Sequence, residues 1–175
     1  MFSLSYSAAY DPYNTIFRFL CLLNAAVDNE MTFSTLRITD FYFCFPWLLS
    51  DLRTTREVPG FAARRNAIVR GYRKGSFDVL PASTVLFDRM EPIQNMAKNA
   101  LVARSVLTAR GANKGTVRLG PESVSAVMQQ KIDAHVKAQK DLVSLLSIDL
   151  PQIRIHGADG LKHRSGLSEH RYDNV

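Results

Sequence analysis

A chain of 175 residues, 46% apolar and with a formal charge of +6, is long enough for one domain with a real core and too apolar to be disordered throughout. Its two cysteines, Cys21 and Cys44, sit inside apolar stretches, a pattern of reduced, buried thiols that excludes a disulfide framework. The uncharged stretch Phe41–Ser50 falls well short of the roughly 18 residues of a membrane span, and the N-terminus lacks the features of a signal peptide, so a soluble cytoplasmic protein is expected.

Asp11 is a good N-cap and Pro12 a good first helical residue, so a helix is predicted to begin there. Tyr13, Ile16, Phe17, Leu20 and Leu23 recur at helical spacing on one face, with Asn14 and Arg18 on another. Phe19, Cys21 and Leu22 widen the apolar arc, which predicts neighbours on more than one side. Asp28-Asn29-Glu30 reads as the turn that follows. Thr32 or Ser34 then caps a second helix leading through Arg37–Leu49, the most informative part of the chain. Five aromatic side chains and a proline lie between Phe41 and Trp47. That is too much apolar surface to leave in water, so the run belongs to a core, an obligate interface or both. Pro46 bends or restarts the helix, and a third helix is predicted from about Trp47 to Arg53.

Pro59-Gly60 marks a loop. Phe61–Lys74 reads as a short basic amphipathic helix docked through Phe61, Ile68 and Tyr72. Its Arg64, Arg65, Arg70, Arg73 and Lys74 face out or reach a partner. Residues 51–120 carry thirteen Lys or Arg against five Asp or Glu, a net of +8, whereas residues 1–50 sum to −2. Such a patch suits a phosphate backbone or an acidic protein face, and a merely solvated surface is the bland alternative.

Gly75–Ser83 is predicted to be a loop, because Val79-Leu80-Pro81 disfavours a helix. A long helix follows and ends near Arg110, with Gly111 as its stop and Pro92 as a kink or fresh start. Its buried stripe is Ile93, Met96, Ala97, Ala100, Leu101 and Leu107. Gly115–Gly120 reads as one short strand, and Lys114 and Arg118 join the candidate contacts there. Pro121-Glu122-Ser123 opens a last helix that buries Val124, Met128, Ile132, Val136, Leu142, Val143 and Leu146. Residues 151–175 read as a tail, flexible or docked on a partner. Within it Gln152–His156 alternates like a strand, so Ile153 and Ile155 are the residues that would seat it on a partner's sheet edge. The fold expected is mainly α: a compact helical domain over 1–150, compatible with a winged helix with a short β wing, then an extended C-terminal tail over 151–175.

No motif points to catalysis. Gly111–Thr116 holds some residue types of a phosphate loop in the wrong order and reads better as a turn. His156, His163 and His170 recur every seven residues, wider than the usual spacing of zinc ligands, and His135 reads as a satisfied imidazole. Neither a nucleophile elbow nor a paired carboxylate-and-lysine arrangement is present. The residues predict no enzyme, no cofactor and no metal, but a protein that works by touching other macromolecules.

Four segments carry a family likeness. Asp11-Pro12-Tyr13-Asn14-Thr15-Ile16-Phe17-Arg18, then Arg37-Ile38-Thr39-Asp40-Phe41-Tyr42 leading into Phe45-Pro46, resemble the middle-component proteins of bacterial ABC-three-component systems. Arg89-Met90-Glu91-Pro92-Ile93-Gln94 and Gly115-Thr116-Val117-Arg118-Leu119 are similar to the same group. Lamassu-type anti-phage systems are its best-known members. The resemblance spans roughly residues 11–147 and leaves the tail unmatched. It implies a non-catalytic adaptor between an SMC-like or ABC-type ATPase and an effector, often a nuclease, with the matched segments building the fold itself. A coupler of this kind needs one apolar surface, of about 1,000 Å² or more for a stable complex, and a second that can be charged. The aromatic run suits the first. The Arg64–Lys74 helix suits the second, meeting either DNA backbone or ATPase carboxylates. The alternative is a winged-helix transcription regulator, with the basic helix in the major groove and Gly115–Gly120 as the wing.

Overall fold

The computed structural model describes residues 8–72, 80–110, 115–120 and 124–167. Helix α1 spans Pro12–Ala25, and Asp11 caps it by accepting from the Asn14 amide at 2.7 Å. A 3-10 turn, Val27–Asn29, holds Asp28 and Asn29 at positive φ and turns the chain into strand β1, Glu30–Thr32. Thr32 caps helix α2, Phe33–Cys44, by accepting from the Thr35 amide at 3.1 Å. Pro46 then stops the helix, and the chain continues as a 3-10 turn over Pro46–Asp51.

Helix α3 runs over Phe61–Gly71 and α4 over Ser83–Ala103. Strands β2, Leu107–Arg110, and β3, Thr116–Leu119, form a hairpin. Helix α5 covers Ala126–Ala138, and α6, Lys140–Ser144, passes into a π turn over Leu145–Asp149 and a 3-10 turn over Leu150–Gln152. A short helix α7, Leu161–Ser165, follows.

The three strands form one antiparallel sheet in the order β1-β3-β2. Its register sets Met31 opposite Val117 and Leu107 opposite Leu119, and these four residues are buried against the helices. Glu30, Arg118 and Thr108 line up across the other face. At the centre of the molecule α1 packs against α2, α4 and α5. Enclosure on several sides buries Phe19 to Leu23 in succession, more than one amphipathic stripe would hide.

Several expectations are corrected. Tyr13 is 81% exposed although it falls on the apolar stripe of α1, while Arg18 is buried at 7% exposure. The neighbours of α1 cover its C-terminal half, and Asp40 neutralises the arginine. The aromatic run is core: Phe41, Tyr42, Phe43 and Phe45 are buried and Trp47 is half-buried. The long helix ends at Ala103 rather than Arg110, because Leu107–Arg110 pairs with β3. Ser105 turns the chain at φ 58 to make this possible. Pro92 neither ends nor restarts α4. Met96, placed on the buried stripe, is 54% exposed, whereas Gln94 is in the core. The last helix breaks at Gln139. Gly111 and the Pro121–Ser123 helix start lie outside the described residues.

Residues 151–167, expected as a separate tail, fold back on the body. Ile153, Leu161 and Leu167 join the core, and Ile155 packs against it. The Arg53 amide donates to the Arg164 carbonyl at 3.0 Å, and Arg164 Nη1 donates to the Thr54 carbonyl at 2.6 Å. Gln152–His156 has no strand structure: Ile153 is drawn into the chain's own core and Ile155 packs against it, while Gln152, Arg154 and His156 are exposed. Residues 168–175, with His170, lie outside the described residues.

Candidate functional site

A charged side chain inside an apolar run has to find a partner there. Arg18 lies within Ile16–Leu23 and Asp40 lies beside the aromatic run, and the fold joins the two. Arg18 Nε donates to Asp40 Oδ1 at 2.6 Å, and Nη2 donates to Oδ2 at 3.3 Å and to Thr15 Oγ1 at 2.9 Å. Nη1 donates to the Ala8 carbonyl at 2.8 Å. Burial works against the charged guanidinium, but the Asp40 carboxylate outweighs it and raises the Arg18 pKa above its ordinary value.

The network continues into α4. Gln94 Nε2 donates to Asp40 Oδ2 at 2.9 Å and to the Arg37 carbonyl at 3.2 Å. Arg37 Nε donates to Gln94 Oε1 at 2.9 Å, its Nη2 pairs with Glu91 at 3.1 Å, and its guanidinium lies 4.7 Å from the centre of the Phe87 ring. Arg18, Asp40 and Gln94 thus satisfy one another inside the core, the condition under which a buried ion pair persists. The arrangement fixes how α1, α2 and α4 are rotated against each other. Its donors and acceptors are committed internally, so it positions elements rather than offering a reactive group.

Beside this network opens a cavity of about 320 Å³, lined by Phe17, Arg18, Phe43, Cys44, His135 and Gln139 among others. The His135 ring meets Phe17 and Phe43 edge-on at centroid distances of 5.3 and 5.7 Å, and its Nε2 lies 3.2 Å from Gln139 Nε2. Burial lowers the His135 pKa, which favours the neutral imidazole. Burial also raises the Cys44 thiol, and pushes Cys21 up to about 12, so both cysteines stay protonated and weakly nucleophilic. Among the described residues no group of three His, Cys, Asp or Glu is placed to hold a metal ion. No helix there is long and apolar enough to cross a membrane.

The predicted contact residues divide sharply. Arg64 Nε pairs with Asp149 Oδ2 at 2.7 Å, tying α3 to the π turn. Arg65 donates to the Leu52 carbonyl and, from Nη2, to Asn66 Oδ1 at 2.7 Å. Both therefore hold α3 on the body. Arg70 is exposed. Arg118 is half-buried on β3, between Glu30 and Thr108 in the register. Ile153 and Ile155 face the chain's own core. Arg73, Lys74 and Lys114 lie outside the described residues. The buried network was not anticipated, although its signal was present in the isolated charges at Arg18 and Asp40.

A family model described as ABC-three component (ABC-3C) system Middle Component 5 matches residues 4–173. The match includes every segment of the buried network and runs on through the segment after 147, which the residue likeness had left unmatched. No curated protein and no solved structure matches the chain.

Proposed function

We propose that this chain, which belongs to the Middle Component 5 family of ABC-three component (ABC-3C) systems, is a non-catalytic adaptor. It joins an SMC-like or ABC-type ATPase subunit to an effector subunit, in the cytoplasm, in a Lamassu-like anti-phage defence complex. The observation that carries this reading is where the family-bearing segments meet. Thr15, Arg18, Arg37, Asp40, Glu91 and Gln94 converge on a network that spends its polar groups on fixing three helices. A rigid body with a committed interior suits a part that transmits position between neighbours.

The aromatic run is consumed by the core, so the apolar partner surface falls elsewhere. The outward face of α4 exposes Val85, Pro92 and Met96, an apolar stripe suited to a partner subunit. Co-expression with the neighbouring ATPase and effector genes, followed by size exclusion and mass measurement, tests the role. The expected result is one complex of all three subunits that separates when this chain is omitted. An ATPase–effector complex that forms equally well without it rules the role out.

A second reading, the winged-helix regulator, draws on the topology. Helix α1, strand β1, helix α2, helix α4 and the β2–β3 hairpin, with sheet order β1-β3-β2, come in the order of a winged helix once α3, which stands between α2 and α4, is set aside as an insertion. In that frame α4, not the basic α3, takes the place of the recognition helix. Its outward face carries Val85, Asp88, Pro92 and Met96, which suits protein contact better than base edges. A regulator selects one sequence from a duplex library, and an adaptor does not.

A further inference from the structure

We infer that the cavity beside α1 is a binding site for a nucleobase, laid flat on an aromatic ring and met at its edge by side-chain amides. The cavity, of about 320 Å³, lies among the N-terminal half of α1, the C-terminal end of α2 and the C-terminal end of α5. Its volume is at the small end of the roughly 300–1,000 Å³ of ligand pockets, which suits a base with its sugar better than a larger cofactor. It opens there because the neighbours of α1 cover the C-terminal half of that helix, and Asn14 in the first turn is exposed.

Aromatic rings form the walls. The planes of Phe17 and Phe43 stand at 70° and 84° to the His135 imidazole. Flat surfaces therefore meet at nearly right angles, and a planar ring laid on one turns its edge towards the other. Three polar side chains reach the same space. Gln139 Nε2 can only donate, so the neutral imidazole accepts at Nε2 and carries its proton on Nδ1. No described residue accepts from that Nδ1–H. Asn14 engages Asp11 through its backbone amide and leaves its side-chain amide open. Gln139 keeps a second N–H beyond the one it gives to His135.

The chemistry narrows the ligand. Arg18 is the one full charge among the described lining residues, and Asp40 already neutralises it, so the cavity does not select an anion. A purely apolar ligand would cover Asn14, His135 and Gln139 without replacing their hydrogen bonds to water. An aromatic side chain from a partner protein brings at most one polar tip to three converging groups. A nucleobase brings a flat π face and several donors and acceptors along one edge. Phe and His are stacking partners for bases, and Asn and Gln amides pair with adenine through two hydrogen bonds. The inference does not rest on the adaptor role.

Calorimetric titration of the full chain with adenosine tests it. The expected Kd is about 1 mM or tighter. Ribose, which lacks the base, and p-cresol, which copies a tyrosine side chain, should bind at least about 10-fold more weakly. Asn14→Ala and His135→Phe should each weaken adenosine binding at least about 3-fold, and together about 10-fold. Arg56→Ala, exposed and away from the cavity, should change it less than about 2-fold. Circular dichroism melts establish that each variant is folded, and Asn14→Ala, an exposed change, keeps the test readable should His135→Phe disturb the core. An oligo-dA strand that binds more tightly than adenosine, and weakens in the same variants, marks a single strand as the source of the base. Equal affinity marks a free nucleoside. No binding of adenosine, guanosine, cytidine or uridine up to about 5 mM overturns the inference, and so does full binding in the double variant. Binding of p-cresol as tight as that of adenosine assigns the cavity to a partner's aromatic side chain and overturns it too.

Discussion

Arg18 and Asp40 are 22 positions apart in sequence and 2.6 Å apart in space, with Asp40 fully buried. The pair couples α1 to α2, and Gln94 extends the coupling to α4. Removing one member leaves the other charge buried without compensation. Asp40→Ala is therefore expected to destabilise the protein by about 3–5 kcal/mol. An apolar pair, Arg18→Met with Asp40→Leu, is expected to recover much of that loss. Urea denaturation of the three proteins measures both, and a loss under about 1 kcal/mol for Asp40→Ala contradicts the role given to the pair.

Two arginines of α3 that look equivalent in sequence should behave differently. Arg64→Ala strands Asp149, which is buried at the π turn, and is expected to cost about 1–3 kcal/mol. Arg70→Ala is a surface change and should stay within about 0.5 kcal/mol. Equal effects on the denaturation midpoint would show that the Arg64–Asp149 pair contributes nothing to holding α3.

The segment after Leu150 is part of the folded body. Ile153→Ala and Leu161→Ala each empty a core position and are expected to cost about 2–5 kcal/mol. Truncation after Leu150 should lower the thermal midpoint for the same reason. An unchanged midpoint would mean that the segment is dispensable to the fold.

Ser105 sits at φ 58, a region that disfavours L side chains. Ser105→Gly relieves that strain and should stabilise by a few tenths to about 1 kcal/mol, whereas a β-branched Ser105→Val should destabilise by more. The order of the three thermal midpoints, Gly above Ser above Val, is the check.

His135 links stability to pH. Burial holds its pKa in the folded chain below the ordinary 6.5. The unfolded chain then binds the proton more readily, so this contribution is full above the ordinary value and is lost as pH falls through the folded one. His135→Phe keeps a ring against Phe17 and Phe43 and removes the titration. Comparison of midpoints at pH 7.5 and pH 5 should show a smaller drop in the variant than in the parent. Identical drops would assign the acid sensitivity to other groups.

Much of the helical framework was legible because its signals are local. Asp11 with Pro12, Thr32 and Pro46 act on backbone groups within a turn of themselves, and each starts or stops an element where chain chemistry indicates. The strand at Thr116–Leu119 was legible for the same reason, in its alternation between Gly115 and Gly120. Strand β1 is three residues long and carries no pattern of its own, so it is defined by pairing with β3. Strand β2 continues a helical spacing and leaves it because Leu119 and Val117 offer a ladder.

The candidate contact surface divides along the same line. Sequence alone established an aromatic, mainly helical body, two reduced cysteines within apolar stretches, a family likeness and an excess of positive charge in the middle third. Tertiary structure decided which charges stay outside. Arg18 became a buried fastener, and Arg64 and Arg65 became ties from α3 to the body, because Asp40, Asp149 and the Leu52 carbonyl were brought to them. Propensity and capping depend on neighbours along the chain, whereas the partner of a buried charge or a strand edge depends on which distant faces meet when apolar surface leaves water.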